Sequence, residues 1–434
     1  MTAGNGATMH LKDKNDVWKQ IPEGHLNAFH FIWLISGGFI IGFFVGIVIG
    51  IFRITTDFAY SHVIKWAAPH NLSGFEIFIF FMAILAAALI TGQLIRKKPL
   101  RRGGAPWIQK ALKVGQKHPF LKILLPKFIG SWLVMACGIS VGREGPCIQM
   151  GASTALSLMR GERDNEIKRR FYILGGCAAG LAAAFSAPFT GFCYVYEVMH
   201  EKIGRLLLLF MLAGSFGVYI SATQILGLGV MLPLENMGLP SARYFILLVP
   251  LGICAGLVGI AYNYLIRYSV QMYAEQKIIP IYLRPLFPFI ASALMILFFP
   301  AVTGEGLTIF NDFQHGSPLI SYLCLFLAAK LLFTAFCYGS TIPAGLMVPI
   351  LCLGGVTGGI YGECCVFFNL MPAELIDCCL VMGMAGAYAA AEKAPITGLV
   401  LTLEMTGAWV TAPGMLLVAA ISAFCGRLAK VQDI

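Results

Sequence analysis

Long apolar runs, separated by short breaks rich in glycine, proline or charge, fill the chain from about residue 29 onward. They cover roughly 29–66, 74–95, 119–141, 175–199, 204–230, 243–273, 283–300, 318–337, 350–368, 376–391, 396–408 and 412–425. A helix needs roughly 20 such residues to cross about 30 Å of hydrocarbon, so the pattern predicts an all-α polytopic membrane protein. The first run is too long for a perpendicular crossing and predicts a helix that tilts or continues outside the bilayer. Short alternating segments, which a transmembrane barrel would need, are missing. Two stretches are polar. Residues 1–28 carry Trp18, Ile21 and Leu26 among Lys and Glu and predict a short amphipathic helix on the membrane surface. Residues 303–317 predict a loop.

Composition sharpens this picture only slightly. With 58% hydrophobic and 12% charged residues over 434 positions, no soluble fold of this size fits. The net charge of +10 marks topology rather than nucleic-acid binding, because basic residues collect in cytoplasmic loops. Arg96, Lys97, Lys98, Arg101 and Arg102 place the end of the second run in the cytoplasm, and residues 161–170 add a second basic loop. No cleavable signal peptide is evident. A multi-pass protein of the plasma (inner) membrane with cytoplasmic termini follows. The thirteen cysteines sit mostly in apolar runs and behave as small hydrophobes. No metal-ligand cluster or nucleotide loop appears, so no cofactor is implied. No histidine is paired with a nucleophile in a recognisable motif, which argues against an intramembrane enzyme.

An internal repeat organises the chain. Ala187-Pro188-Phe189-Thr190-Gly191 recurs as Ala394-Pro395-Ile396-Thr397-Gly398, and Glu197 recurs at the same spacing as Glu404. Each copy follows a run of small residues, GCAAGLAAAF and GMAGAYAAAE. More loosely, Gly142…Pro146 matches Gly345…Pro349, with Lys127 and Lys330 at equal distances upstream. The transport domain at 29–430 therefore divides into halves of roughly 29–230 and 240–430. Repeated halves with interrupted helices are how secondary transporters build a midplane site.

The chemistry concentrates in Gly142-Arg143-Glu144-Gly145-Pro146. An acid at this depth costs about 2.5–3.5 kcal/mol on insertion scales and marks function. Gly142 and Gly145 free the backbone to turn, and Pro146 suits the first turn of a helix. A helix start inside a membrane presents free N–H groups to an anion, here with a carboxylate tethered at its mouth.

These residues carry a family resemblance. GREGP at 142–146, GSTIPAGLMVP at 339–349, KAPITGLVLTLEMT at 393–406 and AAAFSAPFTG at 182–191 resemble the CLC family of chloride channels and chloride/proton antiporters. The resemblance implies a homodimer, one anion pathway per subunit, and an inverted repeat of about 17–18 helices, many broken or tilted. Glu144 matches the external gate. The backbone around Gly103, Gly104, Arg143, Gly145, Leu346 and Met347 matches the anion site.

Three departures bear on mechanism. Gly103 stands where the family usually has serine, removing a hydroxyl donor. Val198 stands where the antiporters carry a second acid, the inner proton acceptor. No tyrosine follows Tyr388 before Ile434, so the tyrosine of the family's last helix has no counterpart. Together these favour chloride transport gated by Glu144 with weak or absent proton coupling. The alternatives are a chloride/proton antiporter with a non-standard inner path through Glu197, or a fluoride-handling relative. Glu197 lies about 100° around a helix from position 198, and fits equally well as a structural acid beside His200, Glu201 and Lys202.

Overall fold

Small residues spaced four apart set how the longest helix packs. Gly38, Gly42 and Gly46 fall on one face of α1 (Ala28–Ala67), and a Cβ on Gly42 would lie 1.8 Å from the Gly214 carbonyl of α7 (Arg205–Val218). Such stripes let membrane helices touch backbone to backbone, where dispersion replaces the missing hydrophobic drive. The computed structural model describes residues 28–67, 73–104, 107–109, 112, 121–159, 166–234, 242–316 and 318–431. The expected amphipathic helix at the N-terminus and Pro106 lie outside them.

Among the described residues the chain is almost entirely helical. Between α1 and α7 come α2 (Gly74–Ile95), α3 (Leu121–Ala136), α4 (Glu144–Leu158), α5 (Glu166–Phe185) and α6 (Thr190–Glu197). The second half holds α8 (Leu248–Glu275), α9 (Leu286–Phe298), α10 (Ile309–His315), α11 (Ile320–Gly339), α12 (Met347–Phe367), α13 (Ile376–Glu392), α14 (Pro395–Thr406) and α15 (Ala412–Leu428). Eight stretches are long and apolar enough to cross a membrane. At about 1.5 Å per residue, the 40 residues of α1 reach roughly 60 Å, so it must tilt or protrude.

Two expected boundaries shift. The apolar run 175–199 is a helix pair interrupted near Pro188, as its small residues and proline predict, with Ser186 (φ 56°) in the break, but α5 starts earlier, at Glu166. The polar stretch 303–317 contains α10. Its Asn311 and Asp312 suggest a loop, but Ile309 and Phe310 are each 1% exposed, and burying them holds the short helix.

Among the described residues the halves match apart from α10, and the joints between them are reciprocal. Glu197, closing α6, accepts hydrogen bonds from Ile396 N (3.1 Å), Thr397 N (2.7 Å) and Thr397 Oγ1 (2.8 Å) at the start of α14. Glu404 of α14 accepts from Phe189 N (2.8 Å), Thr190 N (2.8 Å) and Thr190 Oγ1 (2.6 Å) at the start of α6. Each carboxylate satisfies orphan N–H donors and faces a positive helix end. The lysines noted in sequence are also equivalent. Lys127 donates to Leu100 O (3.4 Å) and Arg102 O (2.5 Å), and Lys330 to Val302 O (2.9 Å) and Gly304 O (2.7 Å), both fully buried. Each pins the loop that precedes its half's broken segment.

The reciprocal caps predict matched penalties. Glu197→Ala and Glu404→Ala each strip buried N–H groups of their acceptor, a loss of about 1–3 kcal/mol. Thermal unfolding in detergent should show comparable drops in Tm for both. A normal melt for either would contradict the structural role of that carboxylate.

Candidate functional site

Gly142 and Gly345 form the seam between the halves. Gly142 N donates to Gly345 O (2.9 Å) and Gly345 N to Gly142 O (2.8 Å), an isolated antiparallel bridge on the pseudo-twofold axis. Immediately after it, α4 and α12 begin. Glu144 turns back across the seam, and its Oε1 accepts from Met347 N at 2.5 Å. The carboxylate thus occupies the N-terminus of α12. Both bridge residues have to be glycine for this: a Cβ on Gly142 would fall 2.1 Å from Glu144 Oε2, and one on Gly345 2.0 Å from Oε1. Glu144 is 4% exposed, and its Oε2 has no hydrogen-bond partner among the described residues.

A cavity of about 220 Å³ reaches this carboxylate. Its wall includes Gly103, Gly145, Leu346 and Met347, four of the positions singled out from sequence. Two others are placed elsewhere. Gly104 is off the wall and its N–H donates to Gly145 O at 3.3 Å, which locks the first signature loop onto α4. The Arg143 side chain leaves the cavity altogether. Its guanidinium grips Glu305 through Nε–Oε1 and Nη2–Oε2 contacts of 2.7 Å, and Asp57 through Nη2–Oδ1 at 2.8 Å. A planar fork matched to carboxylates in this way has no donor directed at an anion in the cavity. Arg143 instead fixes the backbone from which Glu144 springs. Glu197, expected as a possible proton carrier, holds α14 as described above.

Sequence reasoning noted Val198 as a departure but passed over its neighbours on the wall. Tyr194 and Val198 sit one turn apart at the end of α6, and Tyr388 and Glu392 one turn apart at the end of α13; all four face the cavity. Tyr338 joins them, with its hydroxyl within hydrogen-bonding reach of the Gly103 backbone. Tyr388 is fully buried, and its hydroxyl has no hydrogen-bond partner among the described residues. A four-residue spacing of tyrosine and acid at the end of an alanine-rich helix was the signal available for Tyr388 and Glu392. Helix N-termini, tyrosine hydroxyls and a movable carboxylate together make a cavity suited to a small anion.

The family model for voltage-gated chloride channels, Voltage_CLC, matches residues 82–427. The chain belongs to the CLC family. It is 28% identical over 384 residues to the H(+)/Cl(-) exchange transporter ClcA of Yersinia pestis, covering 83% of this chain and 78% of that one. Similarity to the protein of the same name in Vibrio cholerae is 28% over 355 residues, covering 79% and 72%. Among solved structures, a slow cyanobacterial Cl-/H+ antiporter superposes with a TM-score of 0.82 at 21% identity, covering 92% of this chain and 95% of that chain. A CLC-type fluoride/proton antiporter superposes with a TM-score of 0.74 at 20% identity, covering 92% and 96%. These structures share the CLC fold with this integral, multi-pass membrane protein.

The Arg143 anchor yields a stability prediction. Arg143→Ala leaves Glu305, which is 8% exposed, without its bidentate partner. Breaking a buried pair from one side costs about 3–5 kcal/mol. The Tm in detergent should fall sharply, and the double variant Arg143→Ala/Glu305→Ala should regain part of the loss. Failure of the double variant to recover would argue against the pair as the source.

Proposed function

We propose that this CLC protein exchanges chloride for protons, with Glu144 as the element both ions share. The observation that carries the reading is the Glu144 carboxylate seated on Met347 N at the head of α12. A carboxylate on a helix N-terminus takes the place an anion would take. Protonation removes its charge, weakens that hold, and opens the seat to chloride; arrival of chloride favours the protonated, displaced side chain. One group therefore competes with chloride and carries a proton. Gly103, Gly145, Leu346 and Met347 supply backbone to the anion path, and Tyr388 supplies the hydroxyl donor that Gly103 lacks.

Sequence alone favoured weakly coupled passage, on the strength of Gly103, Val198 and the lack of a tyrosine after Tyr388. Exchange is the better-supported reading, because the relatives at 28% identity carry the name of H(+)/Cl(-) exchange transporters. Passive chloride conduction is the second reading, favoured by the valine at 198. Fluoride handling has no specific observation behind it. The functional unit we propose is a homodimer in the plasma membrane, each subunit with its own pathway.

Proteoliposomes under a chloride gradient test the reading. The wild-type protein should drive protons uphill, and Glu144→Gln should abolish proton movement while chloride still crosses. Fast chloride flux in the wild type without proton movement would establish the passive reading instead. Two binding outcomes follow as well. Chloride affinity by calorimetry should rise as pH falls, because the protonated carboxyl yields its seat, and Glu144→Gln should flatten that dependence. Tyr388→Phe should weaken chloride binding by roughly tenfold, since a hydrogen bond to a charged group contributes about 1.5–3 kcal/mol. Unchanged affinity would remove Tyr388 from the anion site.

A further inference from the structure

Exchange needs a second proton station on the far side of the anion site from Glu144, and the valine at 198 cannot serve. We propose that Glu392 is this station, reached from the neighbouring helix; the proposal rests on the exchange reading above. Glu392 and Val198 line the same cavity, one at the end of α13 and the other just past the end of α6. The acid has moved across the wall from one helix end to the other. Of the residues on this wall Glu144 is buried and His200 is exposed. Lys202 and Arg205 follow His200 in sequence, and basic residues of this kind mark the cytoplasmic side.

The titratable groups that share the cavity wall with Glu392 are Glu144 on α4, Tyr194 on α6, His200 after it, Tyr338 on α11 and Tyr388 one turn back on α13, and Lys393 is next in sequence. Tyr194, Tyr338 and Tyr388 line the same cavity as the two carboxylates, so their hydroxyls belong to the space the carboxylates share. A cavity of about 220 Å³ has room for roughly seven waters at about 30 Å³ each. Hydroxyls and waters can then pass a proton along. The proton leaves cytoplasmic water for the Glu392 carboxylate, forming a neutral carboxyl. It then moves through the cavity to the Glu144 carboxylate, restoring the charge on Glu392. Glu144 finally releases it to the opposite side. The chain's other acids at comparable helix ends, Glu197 and Glu404, are committed to capping and take no part. An acid kept within the membrane, facing a cavity shared with a second acid, is the arrangement of a proton relay.

The test uses the full chain in proteoliposomes, with chloride and proton fluxes recorded together. Glu392→Gln is expected to cut proton flux by about tenfold or more while chloride flux persists, and Glu392→Asp to restore part of the proton flux. Glu197→Gln should leave the ratio of protons to chloride unchanged. If the wild type pumps protons and Glu144→Gln stops them, but Glu392→Gln pumps at the wild-type ratio, Glu392 is not the station and exchange stands. If the wild type moves no protons, exchange fails and the station falls with it. Should Glu392→Gln not yield folded protein, judged by chloride flux, Glu392→Ala decides. It removes the carboxyl, and a wild-type ratio of protons to chloride there would overturn the assignment.

Discussion

The paired backbone hydrogen bonds between Gly142 and Gly345 are the contact on which the functional site depends. The bond from Met347 N to the Glu144 carboxylate can form only because the two halves meet head to head there, with no side chain on either glycine. The seam brings the starts of α4 and α12 together at the same depth. Their unpaired N–H groups then face one shared space instead of lipid, where leaving them unsatisfied would be prohibitive. The seam is thus the point at which broken helices become tolerable in a membrane.

Charges away from the site serve this seam. Lys127 and Lys330 each gather two carbonyls of the loops that lead into the broken segments. Arg143 is held from the outer side by Glu305 and Asp57. Glu197 and Glu404 exchange helix caps across the twofold axis. All five charges are matched by carbonyls, carboxylates or helix ends, which is the condition for keeping ions in so apolar a protein. Glu144, seated on Met347 N, and Glu392 both line the cavity.

Much of this was legible in the residues. The apolar runs gave the helices because hydrocarbon thickness dictates their length, and α2 runs from Gly74 to Ile95 as the run of 74–95 predicts. The repeat of A-P-x-T-G with Glu197 and Glu404 showed two halves, since spacing on a helix survives in sequence. GREGP announced a helix start with an acid at its mouth, because glycine and proline have local conformational meaning. The short helix α10 was hidden, as polar neighbours outweigh the two buried residues that hold it.

By itself, then, the sequence determined the membrane class, the twofold repeat, the breaks in the helices and the acid at position 144, all consequences of local chemistry and periodicity. Only the tertiary structure decided which way each charge points. It turned Arg143 toward Glu305, gave Glu197 to the start of α14, and set Tyr388 and Glu392 on the wall that Val198 shares. Those partners lie 162, 199 and 194 residues apart (Arg143 to Glu305, Glu197 to Ile396, Val198 to Glu392), and no local pattern encodes a meeting that exists only once the halves have closed on each other.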